Sequence, residues 1–243
     1  VLADLHNHSC LSPCASLEMS PRRIAEAAAR SGIGLVALTD HNSARNTPAF
    51  EIACRRAGVA PLFGLEITTA EECHVLALFD STEAAMRMDA WVTAALPRIP
   101  LDSEWFGDQP VVDDNDNIVE LLDVLLISAI DQPLEVVGAM THQLGGLFIP
   151  SHINRQAFSI ESQLGFLPPG DYDAIEVLPG SVASYRKRYP HLPVITASDA
   201  HSPDQLGTAP FRFHPADTTI PAIRKGLQAL CVSPRPCAGG EGS

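Results

Sequence analysis

Leu2-Ala-Asp-Leu-His-Asn-His8 is a short apolar run that closes on two histidines, and its reading decides the fold. Leu2–His6 has the length of a buried strand and gives way at once to polar residues. Downstream, Ser20 offers an N-cap, Pro21 a first helical position and Gly32 a stop, which predicts a helix over Pro21–Ser31. Gly34–Thr39 is a second apolar run, ending in Asp40-His41, and a helix over Pro48–Ala57 closes at Gly58 in the same manner. The rhythm continues with strands at Pro61–Ile67, Val75–Phe79, Gly146–Ser151, Ala174–Leu178 and Pro193–Ala197. Helices are expected at Ser81–Leu96, Leu134–Leu144, Ser181–Tyr189 and Ile220–Leu230. Strands alternating with helices imply an α/β fold with a parallel sheet, and the number of strands points to barrel-like closure rather than an open sheet. The dinucleotide and P-loop glycine signatures are missing, so a nucleotide-cofactor fold has no support.

Residues 97–132 break this rhythm. There the segment QPVVDDNDNIVE (109–120) places two apolar pieces around an Asp/Asn turn, which reads as a β-hairpin in an insertion and a candidate lid over the site. Asp113, Asp114 and Asp116 do not make a calcium loop, because the glycine and terminal glutamate of that loop are absent. The 243-residue chain as a whole is expected to form one domain, with a Gly-rich, disordered tail at Cys237–Ser243. At 46% hydrophobic and 19% charged residues the composition is that of an ordinary globular protein. No apolar run reaches the roughly 18 residues that span a bilayer, and no secretory signal is visible, so the chain is read as cytoplasmic. A net charge of −13 argues against a surface that tracks long nucleic acid, although bound metals would reverse the sign locally. The six cysteines are expected to be reduced and mostly buried, with Cys14 as the exception.

Chemistry concentrates at strand ends. His6 and His8 stand two apart, a spacing that on a strand aims both rings to one face. His41 follows the second strand, Glu66 ends the third, His74 opens the fourth, His152 ends the fifth, and Asp199 and His201 follow the last. In α/β folds that edge of the sheet is where sites are built. Buried without a cation, so many ionisable groups would be costly, so they are read as a metal cluster. His142, His191 and His214 are left as ordinary surface or core histidines. Asp4 and Asp40, each beside a ligand, are expected to orient imidazole N–H groups, and Arg155 to reach a substrate phosphate. Asn7, between the two ligands, should pack on the opposite face.

The set resembles the polymerase and histidinol phosphatase (PHP) family: an opening Asp-x-His-x-His (4–8), Thr-Asp-His (39–41) and Gly-x-Glu (64–66), then His74, His152 and a closing Ser-Asp-x-His (198–201). The motifs fall in family order over residues 2–202, and Cys10-Leu-Ser-Pro-Cys14-Ala resembles a subgroup of small stand-alone members. The resemblance implies a distorted seven-stranded (β/α) barrel and metal-dependent phosphoester hydrolysis. It also implies a ligand set, with His6, His8, Glu66 and Asp199 on a first metal, and Glu66 shared with His74 and His152 on a second. A third would take His41, His201 and a residue after His8, where many members carry His or Asp and this chain carries Cys14.

Two or three divalent metals are therefore expected, zinc first, with manganese or iron as alternatives; a Cys14 thiolate would favour zinc. Such metals hold a bridging water, lower its pKa and set it in line with the leaving oxygen. The expected reaction is attack by that hydroxide, held by Glu66 and the cluster, on a small phosphomonoester of nucleotide, nucleoside bisphosphate or histidinol phosphate type. An exonuclease acting on short oligonucleotides or RNA ends would use the same cluster. A non-catalytic, metal-stabilised structural or regulatory module is the reading of another class, and the completeness of the ligand set speaks against it.

Overall fold

A computed structural model describes residues 1–231, so the tail at Cys237–Ser243 lies outside the described residues. Among the described residues ten strands and eight α-helices follow in the order β1 (Leu2–Asp4), α1 (Pro21–Arg30), β2 (Leu35–His41), α2 (Thr47–Ala57), β3 (Ala60–Thr68), β4 (His74–Phe79), α3 (Thr82–Ala95) and α4 (Ser103–Phe106). Then come β5 (Pro110–Val112), β6 (Ile118–Leu121), α5 (Leu134–Gln143), β7 (Leu147–Pro150), α6 (Ile160–Leu164), β8 (Ile175–Glu176), α7 (Val182–Arg188), β9 (Val194–Ile195), β10 (Phe211–Arg212) and α8 (Ile220–Gln228). Local signals act as read. The Ser20 side chain accepts the Arg23 N–H at the start of α1, and Gly58 closes α2 in a left-handed conformation, φ 71°.

Strand order in the main sheet is β10-β1-β2-β3-β4-β7, with β8 and β9 paired separately. The seven expected strands lie side by side in a curled wall. Asp173 N–H donates to Phe148 O and Ile153 N–H to Glu176 O, joining β7 to β8, and an Asn7–Ala200 bridge joins the end of β9 back to β1. The wall is a distorted barrel, but it is not all parallel as expected. β4 runs antiparallel to both β3 and β7, because only Thr69–Cys73 separate it from β3, too few residues for a crossover. That reversal explains why His74 opens its strand: the start of β4 lies beside the end of β3, with Thr68 paired to His74.

Alternation places the site. On β2, Leu35 and Ala37 enter the inner core cluster while Val36 and Leu38 face the helices, so His41 falls on the inner side. Leu62 on β3, and Leu76 and Leu78 on β4, do the same for Glu66 and His74. The barrel interior is thus filled with Leu, Ile, Ala and Phe213 beneath a polar layer at its upper rim, with α8 among the packed elements. Regular pairing of β1 stops at Asp4, short of the expected His6, and Asn7 donates to the carbonyls of Asp4 and Ala37 at 3.2 Å.

The hairpin β5–β6 forms around Asp113, whose carboxylate accepts from Asn115 and Asn117 N–H. Arg22 of α1 pairs with Asp116, Arg56 of α2 with Asp114, and Arg45 with Glu120. Asn42, next to His41, donates to the carbonyls of Leu126 and Ser128, so the returning segment runs beside the rim. Among the described residues no helix is long and apolar enough to cross a membrane, and Cys10, Cys54 and Cys73 are buried free thiols.

Candidate metal centre

Glu66 stands at the middle of the rim, 1% exposed, with five imidazoles around its carboxylate. Its Oε1 lies 3.2 Å from His6 Nε2, 3.1 Å from His74 Nδ1 and 3.2 Å from His152 Nε2. Its Oε2 lies 3.3 Å from His8 Nε2 and from His41 Nδ1. Asp199 Oδ1 completes one side, 3.3 Å from His6 and 3.2 Å from His8. Three sets of ligand atoms each fall within 4.8 Å of one another: His6, His8, Glu66 and Asp199; His41, Glu66 and His74; and His8, Cys14, His41 and His201. The first matches the expected first set, and the third matches the expected third with His8 added. In the remaining set His41 stands where His152 was expected, although His152 Nε2 keeps its contact with Glu66 Oε1.

Without a cation these donors are badly matched. His6 Nε2 and His8 Nε2 face each other at 3.2 Å, so at most one proton lies between them. His41 Nδ1, His74 Nδ1 and Asp199 Oδ1 are buried and lie close to Glu66 or to His6 and His8 without making a hydrogen bond, and His152 Nδ1 is buried with no hydrogen-bond partner. Orphaned buried groups cost about 1–3 kcal/mol each, and a convergent set of imidazole and carboxylate lone pairs is relieved by a metal ion. The donor set fits divalent metals. Burial works against charge on His6, but Glu66, Glu176 and Asp199 outweigh it and hold the imidazole well above the usual range. His8 is likewise raised to about 9 by Asp199 and Glu66 against the effect of burial. Burial, then the charge of His8, pushes His201 down to about 4. Glu66 and Asp199 are held well below the carboxylate range, since the surrounding imidazoles overcome burial. Both carboxylates are therefore ionised and ready to bind cations.

The supporting shell differs from expectation. Asp4 and Asp40 touch no imidazole. Asp40 accepts from Ser9 N–H and from the hydroxyls of Ser9 and Ser12, and Ser12 Oγ in turn lies 3.0 Å from His8 Nδ1. Asp4 accepts from Ser198 N–H and Oγ and from Gly207 N–H, and so fixes the turn that carries Asp199. Each acts one bond further out because short serine turns intervene. The direct imidazole partner is Glu176, which sequence reasoning missed: its Oε2 is 2.9 Å from His6 Nδ1. A glutamate inside the apolar run Ala174–Leu178 was the available signal. Arg155 donates from Nη1 to Asp199 Oδ2 at 3.0 Å and is half exposed at the mouth. Cys14 is exposed on one side. Desolvation of its sulfur, then Glu66, Asp199 and Asp40, push the thiol up to about 12, so an adjacent cation is needed to make it a ligand. His142 lies away from the cluster, with Nε2 2.8 Å from Asp173. His152 (φ 26°) and Asp199 (φ 48°) both hold left-handed backbone, a strain that clusters at functional sites.

Several solved structures share this architecture. The lesion-specific endonuclease PfuEndoQ from Pyrococcus furiosus superposes with a TM-score of 0.70 at 22% identity, over 95% of this chain and 56% of that one. A complex of endonuclease Q with a 27-mer duplex bearing an abasic lesion at the active site gives 0.71 at 22% identity, over 95% and 57%. The chain thus spans a little over half the length of these endonucleases. A protein from Bifidobacterium adolescentis described as a "putative metal-dependent phosphoesterase" gives 0.60 at 20% identity, over 95% and 96%. No curated protein is similar enough in sequence to be matched with it. The family model for the PHP domain matches residues 4–132, just over half of the 243, and takes in His6, His8, His41, Glu66 and His74. On this match, the chain belongs to the PHP domain family.

Proposed function

We propose that the chain is a metal-dependent phosphoesterase acting on small phosphomonoesters. The observation that carries this reading is one buried carboxylate, Glu66, within 3.1–3.3 Å of five imidazoles. His6, His8, Glu66 and Asp199 would hold one metal, and Glu66 with His74, His41 and His152 a second. His8, His41, His201 and Cys14 would hold a third, where sulfur favours zinc. Bound metals supply water of near-neutral pKa and neutralise phosphoryl oxygens. The rest is the work of the chain. Glu176 and Ser12 fix the rings of His6 and His8, Asp4 holds the Asp199 turn, and Arg155 presents a guanidinium to the phosphoryl group. Two ionised carboxylates in a chain of net charge −13 would repel a phosphate, so binding depends on the metals and on Arg155 together. The same acidity favours small substrates over long polymers. We place selection of substrate size in the inserted segment 97–132, which reaches the rim through Asn42.

A second reading, cleavage of nucleic-acid ends or damaged strands, is favoured by the likeness to endonuclease Q. The test is to purify the protein without chelator and count metals by elemental analysis. The same sample is then assayed on nucleoside mono- and bisphosphates, histidinol phosphate, short oligonucleotides and an abasic duplex. Two or three metals with chelator-sensitive phosphate release support the phosphatase, and cleavage confined to oligonucleotides moves the assignment to a nuclease. Full metal occupancy with no turnover on any of them overturns both.

A further inference from the structure

Phe158 lies against the metal centre without being one of its candidate ligands. Its ring stacks on His74, with centroids 5.0 Å apart and planes at 11°, yet it remains 45% exposed. Its backbone is left-handed, φ 55°, a conformation that is an outlier for a bulky residue. The surrounding turn imposes this geometry: Phe158 O accepts from His74 N–H at 2.9 Å, and Ser159 Oγ donates to Arg155 O at 2.7 Å. Asn154 donates to Ser181 Oγ and accepts from Leu178 N–H, tying the same turn to the segment that follows the neighbouring strand β8. A rigid turn thus displays a flat hydrophobic ring to solvent at the mouth, three residues from the guanidinium that pairs with Asp199. Phe158 packs on a site imidazole through one face, which leaves its exposed area for something else.

We propose that Phe158 is the specificity-determining residue of this site, a stacking platform for a planar aromatic group joined to the reacting phosphate, as in a nucleotide. This rests on the phosphoesterase reading and names the substrate class within it. Arg155 and Phe158 then read the two ends of the substrate from a single turn, the charge and the ring. Base–aromatic stacking tolerates any base, so the preference is for nucleotides as a class rather than for one base.

The experiment compares kcat/KM for a nucleoside monophosphate and for glycerol phosphate, which has no ring, in the metal-replete wild type, Phe158→Ala and Phe158→Tyr. The nucleotide-to-glycerol ratio should fall about tenfold in Phe158→Ala, within the range of stacking contributions, mainly through KM, and should be kept by Phe158→Tyr. Equal losses on both substrates would show that Phe158 only positions His74, and overturn the proposal. If the wild type hydrolyses neither ester, the phosphoesterase reading itself fails. Calorimetric titration with adenosine monophosphate then decides the platform separately: tighter binding to wild type than to Phe158→Ala sustains it, and equal affinity sinks it.

Discussion

Replacing Glu176 by Gln removes one charge and little volume, and tests whether the rim is a metal centre. His6 Nδ1 lies 2.9 Å from Glu176 Oε2, and the two side chains are 0% and 3% exposed. A carboxylate on Nδ1–H leaves Nε2 free to donate its lone pair, fixes the ring and raises its basicity. In Glu176→Gln the amide oxygen still accepts, but a charge-assisted bond is roughly twice as strong as a neutral one. The difference is about 1–2 kcal/mol, which at 1.4 kcal/mol per tenfold weakens metal binding by roughly 5- to 30-fold. The assay is competition for zinc against a chromophoric chelator, with circular dichroism and a melt of the chelated protein as controls for folding. Zinc affinity unchanged within about twofold, in a folded variant, would refute the argument that Glu176 prepares His6 as a ligand.

Other expectations follow from neighbouring contacts. A Cβ on Gly64 would sit 2.4 Å from Ala77 O and 2.7 Å from Leu78 Cδ2, so Gly64→Ala must push β3 from β4, the strands that carry Glu66 and His74. It should cost about 1–3 kcal/mol in denaturant melts and lower metal content in parallel. Asp173 lies below the carboxylate range because His142, Arg224 and Phe148 N–H overcome its burial. Its folded pKa is depressed, so its contribution is present above the unfolded value of about 3.9 and is lost as pH falls through the folded one. Asp173→Asn should cost about 1–3 kcal/mol near neutral pH and flatten the loss of stability below about pH 4. Cobalt loaded into the wild type should show a sulfur-to-metal charge-transfer band that Cys14→Ser abolishes, and a band that survives places the thiol outside the site. Arg155→Ala should raise KM by about tenfold or more with a smaller change in kcat, and an unchanged KM would remove it from phosphate binding.

Much of the architecture was legible because its signals are local. Ser20, Pro21 and Gly58 mark helix ends through their own backbone chemistry, and the apolar runs mark strands whatever their partners. The direction of β4 was not legible, since an apolar run reads the same up or down a sheet. Only pairing with β3 and β7 reverses it and brings His74 to the rim. The true neighbours of Asp4 and Asp40 were hidden too, because serine hydroxyls from distant turns reach them first.

By itself the sequence determined which residue types stand at strand ends, and hence the family and the metal-competent set, because ligand chemistry is a property of single side chains. Tertiary structure alone decided how they converge: that Glu66 is shared by five imidazoles, that Glu176 backs His6 from 170 positions away, and that Phe158 lies over His74. Those are distances between atoms that only barrel closure brings together. The burial created by the same closure turns a scatter of ordinary histidines into a cluster whose ring nitrogens are left without hydrogen bonds.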